Sequence, residues 1–219
     1  MNTIVLFTEI SDTFDLCTDR FMGLVLDGKR EQLEKYHFFI DRKLSLYGEL
    51  LVRQQAIRVL GLNNNEIEFG INKYGKPYLR GASKFHYNIS HTRNAVAVAF
   101  SHNEIGIDIE QTKKPDFKVA KRFFTSNEGN YVLSQKNAEH AFYEIWTKKE
   151  AYIKCIGTGL STPLKSFDVL KGKINSMMRT FKIEKYLISV CCTDFLNAEP
   201  LIINMTEAEI QLLISQMVN

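Results

Sequence analysis

Asp108 and Glu110 stand two residues apart in the stretch Glu104-Ile105-Gly106-Ile107-Asp108-Ile109-Glu110. Their alternation with three isoleucines reads as a half-buried strand with the isoleucines toward a core. The two carboxylates then project together from the opposite face. Such a pair offers hard oxygen ligands to a divalent cation such as Mg²⁺, and the ion relieves their repulsion. Alone, the same pattern equally describes the solvated face of an amphipathic strand. Further along, Trp146-Thr147-Lys148-Lys149-Glu150-Ala151-Tyr152-Ile153-Lys154 reads as helix. There Trp146, Glu150 and Lys154 share a face that carries an aromatic ring, a carboxylate and an ammonium, which by itself is also the pattern of a surface Glu–Lys pair. A third feature, Asn88-Ile89-Ser90-His91, reads as a turn ahead of the buried run Ala95 to Phe100. Carboxylates for a metal, with lysines and a histidine for phosphate oxygens, are the components of phosphoryl-group transfer.

The elements that position these groups follow from periodicity and caps. Ile4 to Phe7 reads as a first strand, and a helical region begins near Phe14, with Asp27 capping a second segment that carries Lys29 and Arg30. A core helix runs from Asp41 to Leu60 and stops at Gly61. Ile67, Phe69 and Ile71 alternate as a strand, Lys73 to Leu79 forms a turn presenting Lys76, and Phe85 and Tyr87 begin another strand. Ser101 to Glu104 fits a hairpin into the Ile105–Glu110 strand. Helices are expected over Lys118–Phe124, after a Ser126 cap, and over Ala138–Cys155, the last stopped by Gly157 and Gly159. Phe167–Val169 and Phe181–Cys192 read as strands, and Thr206 caps a terminal helix that reaches Met217. The expected fold class is α+β, with two similar subdomains, residues 1–104 and 105–219, the second carrying the metal site.

Composition narrows the partners. With 219 residues, 45% hydrophobic and 24% charged, the chain can build a real core and is not a disordered one. A net charge of +3 without a concentrated basic stripe points away from nucleic acid. It fits a phosphate-bearing small molecule or an acidic protein. Cys17, Cys155, Cys191 and Cys192 form no CxxC pair, so neither zinc nor a disulfide framework is expected, and reduced thiols in a cytoplasm are the simple account. The first ten residues lack a basic segment and are interrupted by Glu9, so they do not read as a signal peptide. No window approaches about 18 consecutive apolar residues, so no membrane span is expected.

Five motifs in one order carry a resemblance: Tyr74-Gly75-Lys76-Pro77, Phe85 to His91 (FHYNISH), Gly106 to Glu110 (GIDIE), Lys121-Arg122-Phe123-Phe124, and Trp146 to Lys154 (WTKKEAYIK). Together, from about Lys29 to Pro163, they resemble the surfactin-type 4′-phosphopantetheinyl transferases. That family is a pseudodimeric, monomeric class. The resemblance implies a reaction in which coenzyme A binds with Mg²⁺ on its pyrophosphate. The serine hydroxyl of an apo acyl or peptidyl carrier protein attacks the β-phosphate, and 3′,5′-ADP leaves. It implies Asp108, Glu110 and Glu150 as metal ligands. Glu150 becomes the base, directly or through a metal-bound water, with Glu128 a lesser candidate whose position is equally that of a cap. Lys154 is implied to steady the pyrophosphate and the leaving group, with Lys149 beside Glu150 as a further phosphate contact. Ser90 and His91 resemble phosphate contacts, His91 near the 3′-phosphate, and Lys76 with Pro77 resembles a pair lining the nucleotide pocket. Lys29 matches a basic position whose companion falls on Gln32. A second 3′-phosphate contact aligns with Leu44, so Arg42 or Lys43 is expected to substitute. An acidic carrier would face Lys113, Lys114, Lys118, Lys121 and Arg122. Two other readings stay open: a relative that binds coenzyme A or carrier without transfer, and a Mg²⁺-dependent phosphodiester hydrolase.

Overall fold

Apolar and alternating runs become two larger sheets packed against each other, beside a two-stranded pair, in the computed structural model, which describes residues 2–195 and 198–218. β1 (Ile4–Glu9) is followed by α1 (Leu16–Phe21), capped by the Asp15 carboxylate on the Thr18 N–H, and by α2 (Asp27–Glu34). Asp27 is the first helical residue rather than the expected cap: Leu26 holds the cap position and makes no side-chain bond. Asp27 instead pairs with Arg30 one turn on, at 3.4 Å. α3 (Phe39–Leu60) ends where Gly61 turns left-handed at φ +69°, a conformation that costs glycine nothing.

β2 (Phe69–Ile71) and β3 (Pro77–Leu79) form a small antiparallel pair. β4 (His86–Thr92) and β5 (Ala95–Ser101) form a hairpin. Asn88 to His91, expected as a turn, is therefore strand; the reversal falls on Arg93 and Asn94, with Arg93 at φ +37°. The Ser101–Glu104 segment is not a hairpin either. It carries the chain out of the first sheet into β6 (Ile105–Gln111), whose ladder partner is a later strand.

α4 (Phe117–Phe123) precedes α5 (Ser126–Ser134). The cap of α5 is Thr125, in a reciprocal capping box with Glu128, and not Ser126. α6 (Ala138–Ile156) stops at Gly157, φ +67°. Phe167–Val169 is irregular rather than strand, because the Leu164 and Phe167 carbonyls turn inward onto the Lys149 ammonium at 2.7 and 2.8 Å. After α7 (Gly172–Ser176) come β7 (Met178–Ile183) and β8 (Tyr186–Cys192), so the expected single run Phe181–Cys192 is a hairpin. β9 (Leu201–Asn204), unanticipated, pairs parallel to β1, and α8 (Glu207–Ser215) begins at Thr206 as expected.

The first sheet runs β4-β5-β1-β9 and the second β6-β8-β7. Val5, Phe7, Ala95, Ala97 and Ala99 of the first pack against Ile105, Ile107, Ile109, Ile188 and Val190 of the second. The other face of the second sheet is covered by α5 and α6, through residues such as Val132, Ala151, Cys155 and Cys191. On the other face of the first, α3 packs with Ile210 and Ile214 of α8. The last segment of the chain returns to the first half: β1 and α3 present apolar surface that β9 and α8 cover. The α+β class holds. Among the described residues all four cysteines are free thiols, and no helix is long and apolar enough to cross a membrane.

Candidate active site

Gly106 decides how close β6 and α6 come. A Cβ there would run into the Ala151 carbonyl and the Cys155 N–H, so the strand and helix backbones touch at this point. Period-2 alternation then aims Asp108 and Glu110 at the same helix, while Ile105, Ile107 and Ile109 face the shared core as expected. One turn and two turns from Trp146, Glu150 and Lys154 meet them from α6. The Lys154 ammonium lies 2.6 Å from Asp108 Oδ1.

The third wall is β4. Although β4 and β6 belong to different sheets, side chains on alternate positions of β4 replace the missing ladder. Asn88 Oδ1 accepts from the Ile107 N–H at 2.9 Å. Ser90 Oγ donates to Asp108 Oδ1 at 3.0 Å, accepts from Lys154 Nζ at 2.9 Å and lies 3.4 Å from the Ile109 N–H. Thr92 Oγ1 donates to Glu110 Oε2 at 3.4 Å. Sequence reading singled out Ser90 and missed Asn88 and Thr92. Their signal was the two-residue spacing within Tyr87 to Thr92, which marks a polar strand face once that stretch is read as strand.

Three carboxylates share this field. Asp108 is raised by burial, against the opposing pull of Lys154, Ser90 and the Ile109 N–H. Glu110 is raised by burial and then by the charge of Asp108, while the Trp146 indole and Thr92 hydrogen bonds work the other way. Glu150 is raised by burial and by Asp108, opposed by Lys154. Asp108 Oδ2 is buried and has no hydrogen-bond partner among the described residues. Neither do three His, Cys, Asp or Glu side chains among the described residues stand together as a ready-made metal cage. What is present is an excess of carboxylate over counter-charge, with one oxygen unsatisfied.

A cleft of about 570 Å³ opens beside β4, walled by Lys29, Ser45, Arg53, Phe69, Pro77 and His91 among others. Lys29 Nζ donates to Ser45 Oγ at 3.0 Å and lies 3.8 Å from Glu49. Ser45 was not singled out from sequence; it sits one residue from the Leu44 position. The His91 ring, exposed at the edge of the cleft, is lowered in pKa by partial desolvation and then by Lys154 and Lys29, with Asp41 opposing. His91 therefore feels the charge of Lys29 in the cleft and of Lys154 beside Asp108.

Other expected site residues are engaged elsewhere. Lys43 is 1% exposed, paired with Asp15 and Glu207 at 2.8 and 2.6 Å and donating to the Ser11 and Thr13 carbonyls. It pins the first loop to α8 and has no donor left for a phosphate, which corrects its expected role. Arg42 is half-buried with its Nε unpartnered; among the described residues the cleft wall contains neither Arg42 nor Lys43. Lys149 is likewise corrected: it is fully buried against the equally buried Glu128, 2.8 Å away. Glu128 also accepts from the Thr125 and Val169 N–H groups, as a capping residue does. Pro77 lines the cleft, but the Lys76 ammonium points away to Glu104, Ile105 and Cys155.

Comparison with known proteins gives the family. Residues 18–103 match the family model described as "4′-phosphopantetheinyl transferase, N-terminal", and residues 104–206 match the 4′-phosphopantetheinyl transferase superfamily model. The 4′-phosphopantetheinyl transferase Sfp of Bacillus subtilis is 39% identical over 153 residues, 69% of this chain and 68% of the relative. Another Bacillus subtilis 4′-phosphopantetheinyl transferase is 36% identical over 188 residues, 79% of this chain and 84% of its own. The transferase gsp of Aneurinibacillus migulanus is 36% identical over 179 residues, 80% and 74%. The chain belongs to the 4′-phosphopantetheinyl transferase superfamily, in its surfactin-type class. It is an enzyme that transfers phosphopantetheine to carrier proteins. In this transferase the cleft comes from the first half and the carboxylates from β6 and α6, so the site lies where the two halves meet.

Proposed function

We propose that this transferase moves the phosphopantetheine arm of coenzyme A onto the serine hydroxyl of an apo acyl or peptidyl carrier protein in a Mg²⁺-dependent reaction, with 3′,5′-ADP as the second product. The observation that carries the metal is the buried, unpartnered Asp108 Oδ2 beside two glutamates raised in pKa by burial and by the charge of Asp108. Hard oxygen donors in excess of nearby cations fit Mg²⁺, and Asp108, Glu110 and Glu150 would hold it. Bound there, the ion would neutralise charge on the pyrophosphate oxygens.

The chain's own residues do the rest. Glu150, whose carboxyl is raised in the free protein by burial and by the charge of Asp108, would take the proton from the carrier serine, directly or through a water, as the serine oxygen bonds to the β-phosphorus. Lys154 places an ammonium within 2.6 Å of Asp108, where it can hold the oxygens of the departing phosphate as the P–O bond breaks. Lys29, Ser45, Pro77 and His91 line the cleft that receives the nucleotide end, with His91 held lower in pKa in the free protein by desolvation and by Lys154 and Lys29. Arg42 has an unpartnered Nε but no place in that wall. Because one chain supplies both walls, the enzyme works as a monomer. Its halves divide near Ser101–Glu104, with β9 and α8 returning to the first. A carrier with an acidic surface would meet Lys113, Lys114, Lys118, Lys121 and Arg122, and a cytoplasmic setting suits reduced thiols.

Intact-mass spectrometry of an apo carrier domain incubated with the transferase, coenzyme A and Mg²⁺ tests this. One phosphopantetheine is expected on the carrier serine. The addition should stop with a chelator and fall at least about 100-fold in Asp108→Ala. Cleavage of coenzyme A with an unmodified carrier would favour the hydrolase reading. No change in either molecule, across several carriers, would favour a binding-only protein.

A further inference from the structure

The turn before β3 has more side-chain contacts to α6 than lining a nucleotide pocket requires. Asn72 Oδ1 accepts from the Tyr74 and Lys76 N–H groups at 2.8 and 2.9 Å, and the Asn72 N–H donates to the Lys76 carbonyl at 2.9 Å, which makes the turn a rigid unit. From this unit Asn72 Nδ2 reaches across to the Gly157 carbonyl at 2.9 Å. The Lys76 ammonium donates to Glu104 Oε2 at 2.7 Å, to the Cys155 carbonyl at 2.9 Å and to the Ile105 carbonyl at 3.2 Å, which uses all three of its protons. Cys155 and Gly157 close α6, where carbonyls lack intrahelical partners and the helix presents its negative end. A Cβ on Gly157 would lie 2.9 Å from Lys76 Cδ and 3.1 Å from Asn72 Nδ2, so the fit leaves no slack.

The geography of these contacts matters. Ile105 opens β6, three residues before Asp108, and Cys155 follows Lys154 directly. Glu104 also lies 3.3 Å from His86 Nδ1 of β4, the strand that carries Ser90 and His91. The residue after Lys76, Pro77, lines the cleft. One turn of the first half thus grips the start of β6, the end of α6 and the cleft wall together.

We propose that Asn72 and Lys76 form a clamp that sets the position of α6 against β6 and the cleft, and that Lys76 is a positioning residue for phosphopantetheinyl transfer rather than a ligand of the nucleotide. The proposal rests on the transfer reading above. Removing the clamp loosens the end of α6 that holds Lys154 in place, and misplacement of a reacting group by about 1 Å costs up to about 100-fold in rate.

The test is steady-state transfer to an apo carrier, with coenzyme A varied, for wild type, Lys76→Met, Lys76→Arg and Asn72→Asp. Asn72→Asp keeps the Oδ1 acceptor of the turn and removes only the donor to Gly157, so it serves if Lys76→Met fails to fold. Lys76→Met and Asn72→Asp are expected to lower kcat by about 10- to 100-fold while the coenzyme A KM stays within about twofold. Lys76→Arg, which keeps charge and donors, should recover most of kcat. A raised coenzyme A KM with kcat preserved would overturn the proposal and make Lys76 a nucleotide ligand. A lowered Tm with both constants unchanged would overturn it in favour of a purely structural turn. A wild-type protein that transfers nothing would instead strike at the transfer reading itself.

Discussion

Replacing Lys149 by methionine separates two uses of a lysine in the Trp146–Lys154 motif. Lys149 and Glu128 are both fully buried and pair at 2.8 Å. Lys149 also donates to the Leu164 and Phe167 carbonyls and lies 4.3 Å from the centroid of the Phe167 ring. Glu128 holds the Thr125 and Val169 N–H groups. Methionine fills much of the same volume, so the loss is electrostatic: two inward carbonyls lose their donor, and a carboxylate stays behind without water or counter-charge. Removing one partner of such a buried pair costs about 3–5 kcal/mol. In a chain of this size each kcal/mol moves Tm by about 2–4 °C, so Lys149→Met should melt about 6–20 °C below wild type. Scanning calorimetry and urea unfolding at neutral pH read this directly. The double variant Lys149→Met/Glu128→Gln, which removes both charges, should regain part of the loss, since contacting residues do not add. The coenzyme A KM of the folded protein should stay close to wild type. A single variant melting within about 2 °C of wild type, with a coenzyme A KM raised about tenfold, would refute the reasoning. The ammonium would then belong on a phosphate.

Two further outcomes follow from the packing. Gly106→Ala puts a methyl group against the backbone of Ala151 and Cys155, so β6 and α6 must part; a stability loss of about 1–3 kcal/mol and a matching fall in transfer rate are expected by calorimetry and the carrier mass assay. Lys43→Met tests charge as a function of pH. Burial pushes Asp15 up, but hydrogen bonds from Lys43 and the Thr18 N–H hold its carboxyl below the ordinary 3.8. Burial pushes Lys43 down, but Asp15 and Glu207 hold it above 10.5. The depressed carboxylate contributes stability above 3.8 and loses it as pH falls through its folded value. The raised ammonium contributes below 10.5 and loses that as pH rises through its own folded value. The Tm gap between wild type and Lys43→Met should therefore be widest in the neutral range and narrow at both ends. A gap independent of pH would mean that Lys43 acts through packing alone.

Periodicity and caps were enough to place much of the site. Two-residue alternation puts Asp108 and Glu110 on one strand face, and four-residue spacing puts Trp146, Glu150 and Lys154 on one helix face. Gly61, Gly157 and Thr206 mark helix ends that the structure keeps. All of these depend on neighbours within a turn or two, so they can be read along the chain. The five motifs in register point to the family before any fold is drawn.

Tertiary structure decided which charges remain free. Lys43, Lys76 and Lys149 all stand in or near phosphate-binding motifs, yet each is spent on a partner distant in sequence. Glu207 for Lys43, Glu104 and the Cys155 carbonyl for Lys76, and Glu128 for Lys149 take them up. The return of β9 and α8 to the first half has the same origin, since the surface they cover is formed by β1 and α3. A lysine written in a sequence carries a charge but no partner. Local spacing tells which side chains share a face, while the opposing face is supplied by whichever element buries the most apolar surface there.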